Sequence, residues 1–246
     1  MFTVEKMKIR KNGLVIVSLI LMSLALFIGS VLYYANQEVF IDDDTQWLAI
    51  WGQSGMFFMQ MFFPVLIGIV VGISCKVEHD HKNWQRMAAT GISYSKMIRS
   101  KWSVLGFYSG MCLLVFLSLF YVIGLFFLGL PFSVNDLLLI LFWAFWGWLG
   151  SLSICSFQLY IAIKMKSFAA SVCVAVGGTL IGFILMVVVP PLTTVFPYLQ
   201  LAAGSRTRAL VSFSQGEFVV FIVVNLLISY VFYWLSCQYL ERKEFD

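Results

Sequence analysis

"KVEHDHKNWQRMAATGISYSKMIRSKW", residues 76–102, is the longest polar stretch in a chain of 246 residues that is 61% hydrophobic and 11% charged. Soluble domains carry about 25% charged residues, so the chain is suited to a bilayer and this stretch is its exception. Apolar runs bracket it on both sides. A hydrocarbon core about 30 Å thick is crossed by about 20 apolar residues in helical form. Six segments meet that length: 14–34, 54–75, 102–129, 137–163, 168–189 and 218–240. The expected fold is an all-α membrane protein with six transmembrane helices in a single transmembrane domain over 1–246. Little chain is left over for a separate soluble domain. The first run is too long for a signal-peptide core, and no small-residue cleavage site follows it.

The quoted stretch also sets the expected orientation. It holds six of the sixteen basic residues: Lys76, Lys82, Arg86, Lys96, Arg99 and Lys101. Lys6, Lys8, Arg10, Lys11, Lys164, Lys166, Arg242 and Lys243 fall on the same side, which leaves only Arg206 and Arg208 opposite. Positive charge gathers in cytoplasmic loops, so both termini and the 76–101 loop are expected inside.

None of the six apolar segments contains Asp, Glu, Lys, Arg or His. Proton- and ion-coupled carriers need titratable groups at membrane depth, and an intramembrane protease needs a catalytic constellation there. Neither class fits. Gln60, Gln158, Asn225 and Gln238 are expected to bond helix to helix. The five cysteines, with no CxxC pair, read as small buried hydrophobes. A phosphate-binding G-x-x-x-x-G-K-[ST] loop is missing, so uphill transport would draw its energy from another subunit. No nucleic-acid partner is expected.

Within the loop, Trp84, Met87, Ala88, Gly91 and Ile92 recur at helical spacing, with Lys82, Gln85 and Arg86 on the other side. This predicts a short amphipathic helix stopped by Gly91 and a second helix capped by Ser93. Such a helix either lies on anionic lipid or docks into a partner's cleft. In "EHDHK", Glu78, His79, Asp80 and His81 crowd adjacent positions that rarely close a tetrahedron. A solvated loop is expected there, and no metal.

Glu78, then Trp84, then "ATGIS", then the basic "KMIRSK" resembles the loop between spans two and three of permease subunits of type-2 ABC exporters. Among these, the chain is most similar to the small permeases of lantibiotic-immunity transporters (MutE/EpiE type). The opening "VEKMKIRK" resembles the short basic helix before their first span. Gly91 stands where the family often has proline. The resemblance implies a coupling helix seated in a cytoplasmic ATPase, with Trp84 and Met87 as apolar anchors and Glu78, Lys82 and Arg86 as polar contacts. It also implies a second permease subunit, identical or homologous, and a bacterial plasma membrane location. The substrate implied is a lantibiotic or other antimicrobial peptide, or another amphiphile. The permease would not itself be an enzyme. It would hold no cofactor, ATP and magnesium being bound by the ATPase.

On the outer side, Asp42, Asp43 and Asp44 stand near Trp47 and Trp51. Acidic residues and interfacial tryptophans are ordinary there, but three adjacent carboxylates also attract cationic peptides. Residues 190–217, broken by Pro190, Pro191, Pro197 and Gly204, suit re-entrant or interfacial helices between spans five and six. Arg206 and Arg208 would meet either lipid headgroups or a phosphate-bearing ligand. Pro64 and Gly177–Gly178 mark kinks or close packing, and Trp143, Trp146 and Trp148 a packing or lipid face.

Overall fold

The structure, a computed structural model, describes residues 13–42, 45–80 and 83–242. Helix α1 (Leu14–Ala35) is followed by a short α2 (Gln37–Asp42) and then by α3 (Gln46–Asp80). A second short helix, α4 (Asn83–Ala89), leads into α5 (Tyr94–Phe127), α6 (Val134–Met165) and α7 (Phe168–Val188). Two 3-10 turns, Pro190–Thr194 and Pro197–Leu199, and a one-turn α8 (Gln200–Gly204) precede α9 (Gln215–Arg242). Among the described residues there is no strand. Helices α1, α3, α5, α6, α7 and α9 are the six long and apolar enough to cross a bilayer.

The fold is organised around α6. Helices α3, α5, α7, α8 and α9 all pack on it, and α1 rests on the first part of α3. Lipid tails offer no hydrophobic gain between helices, so close backbone approach and hydrogen bonds hold such a bundle. Both are present. The α6 glycines Gly147 and Gly150 face Ser205 and the backbone of Gln200 so closely that neither has room for a Cβ. Gln158 of α6 donates to the Ser171 carbonyl of α7 at 2.6 Å and accepts from the Tyr198 hydroxyl at 2.6 Å. Asn225 of α9 accepts from Ser153 of α6 and donates to the Gln200 side chain at 2.9 Å. Gln200 in turn donates to the Thr194 carbonyl at 2.9 Å. The expected helix-to-helix bonding therefore includes the proline-broken segment, which folds inward onto α6.

Several boundaries differ from the sequence expectation for physical reasons. The second span begins near Gln46, because Trp47, Ile50 and Trp51 are core residues of its first part. Much of the stretch 35–53 is thus helical. The region after α7 holds two 3-10 turns and a single helical turn, short helical pieces between the last two spans. Pro64 follows a π-helical stretch. It has no N–H to give the carbonyl of Gln60, and a π-turn over Met56–Phe62 absorbs the defect, with Phe63 N–H bonded to Phe58. Gly178 packs against the Tyr198 ring, whereas Gly177 faces open space. Trp143 is buried and Trp148 donates to the Gly106 carbonyl at 2.9 Å, so this part of the α6 aromatic stripe is packing. Cys173 is exposed, unlike the other four cysteines.

Candidate functional site

The loop between α3 and α5 is where polar chemistry concentrates, and local sequence explains its shape. Helix α4 ends in a Schellman motif: Gly91 N–H bonds the Ala88 carbonyl at 2.8 Å and Ile92 N–H bonds that of Met87 at 3.2 Å. Gly91 supplies the left-handed φ of 80° that this turn requires. Ser93 then caps α5, its hydroxyl accepting from Lys96 N–H. Both punctuation signals in the sequence are used as expected.

Underneath lies a buried ion pair. The Lys101 Nζ donates to Glu78 Oε1 at 3.0 Å and to the Ser74 carbonyl and hydroxyl at 3.2 Å each. Glu78 is 0% exposed and Lys101 2%. The ammonium also lies 5.4 Å from the centroid of the Trp84 ring, within cation–π range. His79 Nε2 lies 3.2 Å from the Ala162 carbonyl of α6. A cavity of about 240 Å³ is lined by Glu78, His79, Trp84, Tyr94, Lys166 and Tyr239, where α3, α4 and α5 meet the ends of α6 and α9. Two spans are thus clamped at the root of the loop, and the loop's tryptophan is drawn onto the clamp.

This corrects the expected exposure of two residues. Trp84 is only 5% exposed and packs inward, so it is not a projecting anchor. Glu78 faces Lys101 instead of the surface. The outward face of α4 carries Gln85, Arg86 and Ala89, with Thr90 beyond it, and Met87 is half-buried. Lys82 lies outside the described residues. Lys101, 23 positions from Glu78 in sequence, reads as one more topological charge until the two spans are packed antiparallel.

The candidates at 42–51 and 206–208 separate as well. Trp47 is 4% exposed, tucked against Phe120 and Tyr121, and donates to the Pro131 carbonyl at 2.7 Å. Its ring belongs to the core of the helix bundle. Trp51 is likewise internal, donating to the Ser205 carbonyl at 2.9 Å. Asp42 closes α2, while Asp43 and Asp44 lie outside the described residues. Arg206 and Arg208 lie together in the turn after α8, beside a cavity of about 570 Å³.

Every charged side chain of the described spans lies near a helix end. Among the described residues no three His, Cys, Asp or Glu side chains gather as a metal site would require. The geometry offers a mechanical linkage between the loop and the spans it joins. A comparison with family models matches residues 1–182 to the ABC-2 family transporter protein family, a span that includes α1 to most of α7 and the clamped loop. No curated protein and no solved structure matches the chain. The chain belongs to the ABC-2 transporter family, whose members are multi-pass membrane permeases that work with an ABC ATPase subunit.

Proposed function

We propose that this permease serves an exporter that removes lantibiotic-type peptides from a bacterial plasma membrane and so confers immunity or resistance. The observation that supports it best is the contrast between an uncharged bilayer interior and a rigidly clamped loop. An amphiphile already inserted in lipid needs no titratable relay to be expelled, only a bundle that moves when pushed. ATPase closure would press on α4. The Glu78–Lys101 clamp would carry that displacement into α3 and α5, and through His79 and Ala162 towards α6. With both ends inside, the outer carboxylates Asp42, Asp43 and Asp44 would concentrate cationic peptide near the exit. A second permease copy or homologue would complete the pathway.

The test is survival of cells challenged with a cationic lantibiotic, expressing the permease with its ATPase either active or blocked in hydrolysis. Protection should require the active ATPase. Protection that persists with hydrolysis blocked would point to a membrane sensor or scaffold that transports nothing. Protection against other drugs but not against lantibiotics would keep the exporter and change its substrate.

Two further results are expected. In the proposed docking, Arg86 stands on the outward face of α4 and meets the ATPase while Trp84 braces the helix from within. Arg86→Glu should lower co-purification of the ATPase about tenfold, since a charge reversed against a charged partner costs over 1.4 kcal/mol, with permease levels in the membrane unchanged. Full co-purification would place the contact elsewhere. Replacing Asp42, Asp43 and Asp44 together by Asn should raise sensitivity to a basic peptide at low salt, and the difference should vanish above roughly the salt concentration at which the Debye length shortens to 3 Å. A salt-independent effect would remove the electrostatic explanation.

A further inference from the structure

The largest of the described cavities, about 570 Å³, lies between the end of α7, the proline-broken segment and the start of α9. Its volume is in the range of ligand sites. Apolar walls come from Met186, Val220 and Phe221 and the cations are Arg206 and Arg208. Arg206 is built in. Its Nε donates to the Val211 carbonyl at 2.6 Å, its guanidinium stands 4.5 Å from the Phe213 ring, and one terminal nitrogen is 3.7 Å from Glu217 Oε2. The turn that presents both arginines is bracketed by two residues in left-handed backbone conformation, Arg206 at φ 53° and Leu210 at φ 50°. Neither is glycine, and unfavourable backbone of this kind clusters at ligand sites.

The chemistry selects the ligand. Thr193 and Thr194 donate their hydroxyl protons to the Pro190 and Pro191 carbonyls, and Gln200 donates to the backbone of the same segment. The arginines are therefore the donors an anion would find, and guanidinium matches phosphate oxygens in pairs. Two arginines against Glu217 leave one net positive charge, the complement of a phosphodiester monoanion. The rim is apolar and open: Val220 is 48% exposed, beside Val219, and Val187 next to Met186 is 81% exposed. Such surface at a spanning helix faces acyl chains. We propose that this pocket holds one anionic phospholipid, its phosphodiester on Arg206 and Arg208 and an acyl chain along Met186, Val220 and Phe221. The site goes beyond the transport reading and rests on it only for the leaflet, which the proposed topology makes the outer one.

The experiment is native mass spectrometry of the permease–ATPase complex released from nanodiscs of mixed phosphatidylcholine and phosphatidylglycerol, without peptide or ATP. Wild type should retain phosphatidylglycerol in preference to phosphatidylcholine. Arg208→Gln, at an exposed position that leaves the fold intact, should reduce that preference about tenfold, the weight of one charge-assisted hydrogen bond. Arg208→Lys should keep part of it, and Glu217→Gln should strengthen it by removing the internal counter-charge. Equal retention of the two lipids by wild type, or an unchanged preference in Arg208→Gln, would overturn the proposal. So would loss of the lipid to excess inorganic phosphate, which would mark a small-anion site. Retention is read without transport, so failure here leaves the exporter reading untouched, and failure of export leaves this site untouched.

Discussion

Lys101→Met is expected to be among the most damaging single substitutions in this chain, although it removes one positive charge of sixteen. The reason is what stays behind. Glu78 is wholly buried and its Oε1 accepts from Lys101 at 3.0 Å, so the methionine leaves a carboxylate in a low-dielectric pocket without its ammonium. Breaking one partner of a buried pair costs about 3–5 kcal/mol, a large part of the stability of an ordinary domain. The Ser74 carbonyl and hydroxyl lose their donor too. The expected outcome is a lower melting temperature of the purified complex and loss of the permease's stimulation of ATPase activity. The double variant Glu78→Gln with Lys101→Met separates stability from coupling. It leaves no buried charge, and neutral replacement of a buried pair is often tolerated, so the melting temperature should recover most of the loss. Stimulation should stay low, because a neutral contact holds the two spans less firmly. A Lys101→Met protein that melts and works like wild type would show that the pair does not clamp the loop. Recovery of both properties in the double variant would make it a packing feature with no part in transmission.

That pair also marks where sequence reading stops. The six spans are legible because length and hydropathy alone decide them: a run such as 168–189 has no alternative in water. Gly91 and Ser93 are legible because a left-handed turn and an N-cap are local, each needing only its neighbours. Glu78 and Lys101 are not, since each alone looks like loop charge and only antiparallel packing of α3 and α5 joins them. The tryptophans mislead for a related reason. An indole beside acidic residues at the end of an apolar run reads as an interfacial anchor, yet Trp47 and Trp51 find the carbonyls of Pro131 and Ser205, 84 and 154 positions away, and turn inward. Trp84 follows the same course onto its own bundle. Its apolar stripe was legible, but the body it covers, the clamp and the ends of α6 and α9, was not. Gly147, Gly150 and Gly204 are the hardest case, because a glycine in an apolar helix carries no sign of what approaches it.

For that reason Gly150→Val is expected to have the other large effect. A Cβ built on Gly150 meets backbone: the Leu201 nitrogen at 2.9 Å, with the carbonyl of Gln200 nearer still. The contact is reciprocal, since a Cβ on Gly204 would strike the Trp146 carbonyl and the Gly147 nitrogen of α6 at 2.7 Å or less. Backbone on both sides has no rotamer with which to yield, so α8 must lift away from α6. Lifting it draws Gln200 out of its bonds to Asn225 and to the Thr194 carbonyl. Gln200 is buried, and each of its polar groups left unpaired costs about 1–3 kcal/mol. The variant should fail to accumulate as a monodisperse permease, or accumulate and transport nothing. Gly177→Ala supplies the internal control: the same type of residue in a neighbouring span, with nothing within 4 Å of its Cβ. There alanine should be neutral or raise stability by up to about 1 kcal/mol through helix propensity. Fluorescence-detected gel filtration of the two variants reads the difference directly. Equal profiles would mean that the inward-folded segment is held by something other than its contact with α6, and the packing account of that half of the fold would have to be abandoned.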